Sequence, residues 1–288
     1  MVLFVIAMNE YKITRLLQDV CVARHEKVVA QLPKEHALTK KTNEFVNPIY
    51  NIILNAVPKS GSSYIAKSLD QGLNYERMRI SAKYIPRDQV NYFDLQKFYS
   101  EGGKLSKQHL DPSTMNVNIL KRFTRKMVLQ LRDPREILLS WVHHLNALKE
   151  EKVDLYYFDP EPSVEYYNLS LNEQIDWNIE NFLPSIITWI DGWLIVKEKE
   201  DLTDDGLKIL ITTYDEFLAD ELKFYHKILN FYDIPISNFK VKPPKKDRKV
   251  HFRKGELGEW RSVFTKEQKC RIAKIVPDEL LRKFNWKK

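Results

Sequence analysis

The sequence predicts an α/β fold in which a single domain holds a central parallel sheet flanked by helices. Three observations lead to this prediction: strand-like and helix-like segments alternate along the chain, a mostly apolar run over 52–57 leads through a loop into a helix, and no repeat or low-complexity tract interrupts the order. Strands joined by helices favour parallel pairing with right-handed crossovers. Ligands of such sheets bind at the carboxyl ends of the strands.

The predicted elements follow one another with recognisable start signals. After the strand over 52–57 come a helix from about Ser62, a short strand over 106–110 and a strand that ends at Arg132. A helix over 133–149 follows, and then a helical stretch over 170–198 that breaks before Pro184. The last elements are a strand, turn and helix over 207–220 and a late helix. The helix over 133–149 opens with Asp133, Pro134 and Glu136, and the late helix with Thr265 and Gln268; both starts are typical of a capping box.

Composition and charge limit the possible functions. With 288 residues, 43% hydrophobic and 12% aromatic, the chain is globular in composition and long enough for one sizeable core. A formal net charge of +7 favours an anionic ligand, nucleic acid or an acidic membrane surface, and charge alone does not choose among them. Cys21 and Cys270 lie far apart without metal-ligand or redox spacing, which predicts a reducing, cytoplasmic location.

Two segments are expected to lie outside the regular layers. The first residues, "MVLFVIAM", are apolar but lack a basic start and a cleavage site and are too short to span a membrane. We therefore expect residues 1–45 to form an N-terminal extension packed on the core. Residues 150–170 are rich in aromatic and acidic side chains and indicate a loop or lid near an acceptor site, with a plain surface excursion as the alternative. If this segment lines the pocket, its acidic residues disfavour an anionic acceptor.

The loop "PKSGSSY" between the first strand and helix is a candidate phosphate-binding loop. A Walker A loop places its lysine after its second glycine, whereas here Lys59 precedes Gly61, which disfavours an ATPase or GTPase loop. The lysine, the glycine, and the hydroxyl and backbone N–H groups of Ser62 and Ser63 can still hold a phosphate at the helix N-terminus. An ordinary capped helix after a buried strand is the alternative.

A possible proton acceptor lies in "SKQHLDP". Lys107 and His109 stand two residues apart, so on a strand both side chains point to one face. Neutral imidazole can take a proton from a hydroxyl group, while a neighbouring ammonium stabilises developing negative charge. A structural histidine is the alternative. His143 and His144 have no acid or metal-ligand cluster around them and are interpreted as packing or surface residues.

Two further groups of basic or hydroxyl side chains could bind an anion. Arg132 closes its strand and Ser140 follows about two helical turns later, so both could approach one oxyanion, although an arginine that caps the sheet edge is equally compatible. Between Lys240 and Lys254 there are eight Lys or Arg residues against one Asp. Such a run is typical of a solvated surface or an RNA-binding loop, and it also suits the clamping of a nucleotide phosphate.

Four motifs in this order, "PKSGSSY", "KQH", "RDPREILLS" and "RKGELGEW", resemble those of the cytosolic sulfotransferases, which depend on 3′-phosphoadenosine 5′-phosphosulfate (PAPS), over most of residues 50–266. The resemblance implies a single domain with the P-loop-like sulfotransferase fold. It also implies transfer of the PAPS sulfuryl group to a hydroxyl or amine of a small-molecule or sugar acceptor, which leaves adenosine 3′,5′-bisphosphate. It requires no metal.

The resemblance also implies roles for individual residues. His109 matches the family's catalytic base, with Lys59 and Lys107 as catalytic lysines; Arg132 and Ser140 match the 3′-phosphate ligands, and Tyr214 matches a tyrosine near the adenine. The implied cofactor-binding set is Lys59, Ser60, Gly61, Ser62, Ser63, Tyr64, Arg132, Ser140, Tyr214, Arg253, Lys254 and Gly255. Where the family usually has Thr-Thr-Trp, this chain has Ser62-Ser63-Tyr64, so its stacking aromatic is smaller. Glu259 replaces the usual aspartate of the last motif.

Two other functions stay open at this point. An ATP-dependent P-loop kinase would use the same sheet edge, and a basic nucleic-acid-binding protein without catalysis would use the same positive charge. We expect that the chain neither binds nucleic acid nor spans a membrane. The sequence does not determine the identity of the acceptor or the oligomeric state.

Overall fold

The computed structural model describes residues 50–152, 158, 160–241 and 256–286, which belong to one compact unit. The strands are β1 (Ile52–Ala56), β2 (Glu76–Arg77), β3 (Ser81–Ala82), β4 (Gln89–Val90), β5 (Lys104–Gln108), β6 (Lys126–Leu131) and β7 (Lys208–Thr213). The helices are α1 (Ser62–Leu73), α2 (Tyr92–Glu101), α3 (Thr114–Phe123), α4 (Pro134–Glu150), α5 (Leu171–Asn181), α6 (Leu183–Asp201), α7 (Tyr214–Ala219), α8 (Glu221–Phe231), α9 (Trp260–Val263), α10 (Lys266–Ile275) and α11 (Asp278–Lys283).

The main sheet has five strands in the order β2-β5-β1-β6-β7, and every neighbouring pair is parallel. β3 and β4 form a separate short antiparallel pair. The predicted α/β fold with a central parallel sheet flanked by helices is confirmed. All carboxyl ends of the five strands therefore open on one edge of the sheet, where ligands of such folds bind.

The core has two layers, one on each face of the sheet. Along β1, Ile53 belongs to one buried cluster, whereas Ile52 and Leu54 belong to the other. This alternation follows from the two-residue period of a strand, and it explains why a strand covered on both faces is apolar almost throughout. In the first cluster the rings of Trp141 and Phe182 stack with centroids 4.6 Å apart.

Two sequence predictions about element boundaries need correction. The strand expected over 106–110 is β5, Lys104–Gln108, so His109 lies one residue beyond its end. The cause is that the backbone N–H of His109 is bonded to the Asp88 carboxylate, which a sequence pattern does not show. Arg132 likewise follows β6 instead of ending it.

The helix starts are largely as predicted. Asp133 is the N-cap of α4 with a proline in its first turn, and the capping box of Thr265 and Gln268 at α10 is confirmed. The helical stretch does break before Pro184, because α5 ends at Asn181 and α6 begins at Leu183. The capping-box prediction for Glu136 is wrong, because its carboxylate instead accepts bonds from Arg132 and from the backbone N–H of Gly258.

The described part of 150–170 packs against the core. Phe158 is buried, forms an isolated bridge with Ile85 and meets Trp141 edge-on with ring centroids 5.0 Å apart. Tyr166, in a 3₁₀ turn over 164–168, is 1% exposed. The prediction of a lid near the acceptor site is not tested by these contacts. The predicted extension over 1–45 lies outside the described residues, and within the described ranges no helix is both long and apolar enough to cross a membrane.

Candidate active site

The loop after β1 is tied to β6 by hydrogen bonds. The backbone N–H of Val57 donates to the Gln130 carbonyl at 3.0 Å, and the Gln130 side chain donates to the Ser60 carbonyl at 3.1 Å. The Ser60 hydroxyl donates to the Val57 carbonyl at 2.7 Å, and Ser60 is fully buried. Ser60, which the resemblance assigns to the cofactor, therefore uses its hydroxyl to hold the loop together.

The loop ends in a concave start of α1 that suits an anion. Lys59 and Gly61 both have left-handed backbone conformations, with φ of 62° and 78°. Gly61 is the N-cap of α1, and the first turn of this helix contains no acidic residue. The N–H groups of a helix's first turn have no partner within the helix, and they carry the positive end of its dipole. Ser62 and Ser63, at the first two helical positions, can therefore present backbone N–H groups and hydroxyls to one bound anion.

Arg132 lies immediately after β6, beside the same loop. One of its Nη atoms donates to the Lys59 carbonyl at 2.8 Å and the other lies 3.4 Å from a Glu136 carboxylate oxygen. Its guanidinium stacks on the ring of Tyr214 at 4.3 Å, and the whole residue is only 8% exposed. Its Nε atom is buried and has no acceptor among the residues that the structure describes. A buried cation with an unused donor is a strong candidate for an anion ligand.

Tyr214 brings the end of β7 into the same place. It is the first residue of α7, whose N-cap is Thr213. A Cβ atom at Gly61 would lie 2.7 Å from the Tyr214 ring, so only glycine fits at this approach. The carboxyl ends of β1, β6 and β7 thus bring together Lys59, Gly61, Arg132 and Tyr214, as the resemblance implies.

Ser140 and Tyr64 lie at the border of this cluster. Ser140 is half-buried on α4, one turn after Glu136 and therefore on the same face as the carboxylate that contacts Arg132. The Tyr64 ring meets Phe217 edge-on at 5.7 Å, and Phe217 in turn stacks near Tyr214 at 5.9 Å.

The motif "RKG" falls outside the described residues, which resume at Glu256. Arg253, Lys254 and Gly255 are therefore not placed. Gly258, three residues later, donates its N–H to the Glu136 carboxylate, so the chain re-enters the described part next to the partner of Arg132.

The imidazole of His109 is fixed by two contacts. Its Nδ1 atom lies 2.6 Å from the Ala56 carbonyl oxygen, and its Nε2 atom lies 2.9 Å from the Lys107 ammonium. A carbonyl oxygen can only accept, so Nδ1 carries the proton and Nε2 presents its lone pair. His109 is 6% exposed, and its partner Ala56 is the last residue of β1. The candidate base is therefore anchored three residues before Lys59.

Burial and neighbouring positive charge lower the pKa of both members of this pair. Burial, and then the neighbouring Lys107, hold the pKa of His109 well below its usual range. Burial lowers the pKa of Lys107 to about 8, against the opposing effect of the Asp88 carboxylate. His109 is consequently a neutral base near pH 7, and Lys107 is a cation that loses its charge at mildly alkaline pH.

Asp88 is a site residue that sequence reasoning missed. Its carboxylate is fully buried and accepts from the backbone N–H of Tyr84 at 2.7 Å and of His109 at 3.2 Å, while its own N–H donates to the His109 carbonyl at 3.0 Å. Burial raises the pKa of this carboxyl group. No motif marks Asp88, since only the tertiary fold brings residue 88 beside residue 109.

The two adjacent histidines of α4 lie on a helix that packs against the core. His143 and His144 are half-buried, and the ring of His144 lies 5.5 Å from that of Trp141. Within the described residues no group of three or more His, Cys, Asp or Glu side chains could hold a metal ion.

Comparisons with known proteins identify the family of the chain. A family model described as a sulfotransferase domain matches residues 50–284. The crystal structure of mouse sulfotransferase SULT7A1 complexed with PAP is similar with a TM-score of 0.55 at 17% identity, covering 82% of this chain and 87% of that chain. Retinol dehydratase, in complex with androsterone and inactive cofactor PAP, gives a TM-score of 0.44 at 17% identity, with 82% and 80% covered.

A sulfotransferase from Alicyclobacillus acidocaldarius gives a TM-score of 0.42 at 11% identity, with 82% of this chain and 99% of that chain covered. No curated protein sequence matches the chain. The mouse structure supports the fold alone, whereas the family model spans most of the chain, including the phosphate loop, His109 and Arg132. The chain therefore belongs to the sulfotransferase family and carries a domain for sulfuryl transfer.

Proposed function

We propose that this protein transfers the sulfuryl group of PAPS to a hydroxyl, or an amine, of a small-molecule or sugar acceptor, with His109 as the base. The observation that carries the proposal is the position of the His109 imidazole. Its Nε2 lone pair faces the Lys107 ammonium and can take a proton from an acceptor hydroxyl that replaces this ammonium. Its Nδ1–H donates to the carbonyl of Ala56, just before the candidate phosphate loop. A base and an anion cradle that share one strand end suit transfer from a bound anionic donor.

The described residues fit the donor's two anionic ends. Lys59 and the first turn of α1 would hold its 5′ side, and Arg132 with Ser140 would hold its 3′-phosphate. The buried, unpartnered Nε of Arg132 supports this assignment, because it offers a donor that the described protein groups leave unused. Tyr214 would lie near the adenine. Arg253, Lys254 and Gly255 are proposed as further 3′-phosphate ligands on the resemblance alone.

PAPS supplies an activated sulfuryl group: the acceptor oxygen bonds to sulfur, and the bond from sulfur to the bridging oxygen breaks, so that adenosine 3′,5′-bisphosphate leaves with that oxygen. His109 takes the acceptor proton at Nε2, and its Nδ1–H bond to Ala56 keeps the ring oriented. Lys107 must yield its place at Nε2 to the acceptor hydroxyl, and it then remains close enough to stabilise negative charge on the transferred group. Lys59 acts in the same way from the loop.

The alternatives predict different ligands. A P-loop kinase would respond to ATP, and a nucleic-acid-binding protein would bind RNA or DNA with a steep salt dependence and no preference for the bisphosphate. The prediction of a cytoplasmic protein that binds neither nucleic acid nor metal stays part of the proposal.

Thermal unfolding with adenosine 3′,5′-bisphosphate, ADP and ATP at equal concentrations tests the proposal. A ligand at about 100 times its Kd stabilises the fold by about 2.7 kcal/mol, which is readily seen as a shift of the midpoint. We expect the shift with the bisphosphate and a much smaller one with ADP or ATP. Arg132→Gln should reduce the selectivity for the bisphosphate. Equal shifts with ATP, or no shift with any nucleotide, would contradict the proposal.

A further inference from the structure

We propose that the acceptor carries an anionic group, a carboxylate or a sulfate, which binds at a basic edge formed by Arg79 and Lys83, beside Lys107 and His109. This inference rests on the proposed function and names the chemical class of its acceptor. It differs from the expectation drawn from the acidic residues of 150–170.

The sheet order separates this edge from the proposed donor site. The groups assigned to the donor follow β1, β6 and β7, whereas His109 follows β5, on the other side of β1. Segment 79–91 runs along His109 on that outer side: residue 88 exchanges backbone and side-chain hydrogen bonds with residue 109 and forms a bridge with residue 110. An acceptor that reaches Nε2 of His109 from the β5 side therefore passes this segment.

Arg79 is held in place at the edge. Its Nε donates to the Ser81 carbonyl at 2.9 Å, and one Nη lies 3.3 Å from the Asp88 carboxylate oxygen that also accepts the His109 N–H. The side chain is nevertheless 46% exposed. Because the guanidinium has five N–H donors in a fixed plane, the remaining donors are already oriented for a carboxylate or a sulfate.

The electrostatic surroundings of His109 are positive. Lys107, Arg79 and Lys83 all act to lower the pKa of the imidazole. Like charges gathered around a base oppose its protonation, so negative charge bound in the same region would favour proton transfer from an acceptor. A bound carboxylate or sulfate supplies that negative charge.

Three cations and one carboxylate are the charged groups that act most strongly on Lys107. Lys107 experiences the opposing field of Asp88 together with the unfavourable fields of three cations, Arg77, Arg79 and Lys83. Asp88 is buried, and its carboxylate is already shared among several donors. Among the three cations, Arg77 pairs with Asp70 at 2.5 Å, and we leave it out of the proposed edge. Arg79 is kept, because its partner Asp88 lies farther away, at 3.3 Å, and also accepts from the backbone N–H groups of Tyr84 and His109.

The same cations could instead serve the sulfuryl group of the donor. In that case removal of Arg79 or Lys83 would weaken every transfer reaction equally. If they bind the acceptor, their removal weakens reactions with anionic acceptors more than reactions with neutral ones. A comparison of charged and neutral acceptors therefore separates the two roles.

The test uses two matched pairs of acceptors with PAPS as donor. The first is 4-hydroxyphenylacetate and its methyl ester, and the second is methyl β-D-glucuronide and methyl β-D-glucoside, so the charge is probed once on a phenol and once on a sugar. Arg79→Gln and Lys83→Gln are compared with the wild type. Lys208→Gln is the control, because Lys208 is exposed at the amino end of β7, the opposite edge strand, and its loss changes the net charge equally.

We expect the enzyme to accept at least one of the two pairs, and within that pair kcat/KM should be higher for the charged acceptor than for the neutral one. Arg79→Gln and Lys83→Gln should lower kcat/KM for that charged acceptor by about 10-fold, a value that corresponds to one charge-assisted hydrogen bond. The loss of kcat/KM for the neutral member should be clearly smaller, although not zero for Arg79→Gln, because Arg79 also contacts Asp88 beside His109. The Kd of adenosine 3′,5′-bisphosphate should stay the same, and Lys208→Gln should change none of these quantities.

Two results would overturn the inference and leave the proposed function in place. One is a higher kcat/KM for the neutral acceptors; the other is an enzyme that binds the bisphosphate but sulfates neither charged acceptor. An equal loss for both members of a pair would also overturn it, because the cations would then act on the donor. Failure to bind the bisphosphate at all would instead count against the proposed function itself.

Discussion

At the residue scale, the chemistry depends on which nitrogen of His109 carries a proton. The Ala56 carbonyl settles this, because it can only accept and lies 2.6 Å from Nδ1. The lone pair of Nε2 then faces Lys107, whose ammonium lies 2.9 Å away. The pair is therefore set up for one proton transfer at one atom.

His109→Ala should lower the turnover number by about 100-fold or more, because the acceptor would lose its positioned base. Binding of adenosine 3′,5′-bisphosphate should change little, since His109 lies on the acceptor side of β1. Steady-state kinetics and calorimetry measure the two effects separately. His144→Ala, on α4, is the control for the loss of an imidazole. Unchanged turnover in His109→Ala would remove His109 from the role of base.

Lys107 gives the reaction a pH dependence with a definite sign. Its pKa is lowered to about 8, so the stabilising ammonium is lost as the pH rises through that value, and kcat should fall on the alkaline side. The pKa of His109 lies well below its usual range, so kcat should not fall as the pH decreases from 8 to about 6.5, the ordinary histidine value. A pH–rate profile of the wild type measures both limits.

Lys107→Arg should move the alkaline limit to higher pH, since a guanidinium keeps its charge there. Lys104→Arg is the matched control on the same strand, because the pKa of Lys104 is raised by its bonds to Glu101 and Glu76. An alkaline limit that stays in place in Lys107→Arg would show that another group titrates.

At the scale of elements, the strand–loop–helix unit around Gly61 depends on one close approach. The residue combines a φ of 78° with a position where a Cβ would lie 2.7 Å from the Tyr214 ring. A side chain at this position would collide with the Tyr214 ring, so the close approach of the loop to α7 needs glycine. The contact between Gly61 and Tyr214 therefore brings the loop after β1 against the start of α7 after β7, on either side of β6.

Gly61→Ala should lower both the free energy of unfolding and the affinity for the bisphosphate. Gly258→Ala is the matched control, because Gly258 also has a positive φ, of 87°, but its nearest neighbour would be 3.5 Å from the new Cβ. The left-handed conformation alone costs about 1–2 kcal/mol. Urea denaturation should show a clearly larger loss for Gly61→Ala. Equal losses would mean that the Tyr214 ring moves away at little cost.

At the scale of the whole molecule, the order of the strands in the sheet determines on which side of β1 each proposed donor or acceptor group lies. β1 lies in the middle, paired with β5 and β6, and all five of its residues are buried. In the proposed function, the ends of β6 and β7 contribute Arg132 and Tyr214 to the donor site, and the end of β5 contributes His109 as the base for the acceptor. β2, at the outer edge, has only two residues, and both are exposed.

Hydrogen exchange should follow the same order. Amides of β1 and β6 are expected to exchange most slowly, since they open only when the whole sheet unfolds, and amides of β2, β3 and β4 much faster. Mass spectrometry or NMR of the native protein measures these rates. Comparable protection in β2 and β1 would contradict the view that stability is concentrated in the centre of the sheet.

Much of the fold could be predicted from local pattern. The apolar run that becomes β1, the Asp133 and Thr265 caps and the break before Pro184 are all properties of a few adjacent residues. The boundary of β5 and the partners of Glu136 could not be predicted in this way. Both depend on groups distant in sequence, Asp88 and Gly258, that compete with the local pattern.

The sequence by itself determined the α/β class, the family, and the set of motifs from Lys59 to Tyr214 that belongs at one sheet edge. Those features depend on residue type and spacing, which the chain carries whether or not it is folded. Only the tertiary structure decided the tautomer of His109, the lack of an acceptor for the Arg132 Nε among the described residues, and the position of Arg79 beside Asp88 and His109. Each of these depends on hydrogen-bond geometry and burial between segments that meet only when parallel strands are aligned, and physical proximity of this kind has no local signature in the sequence.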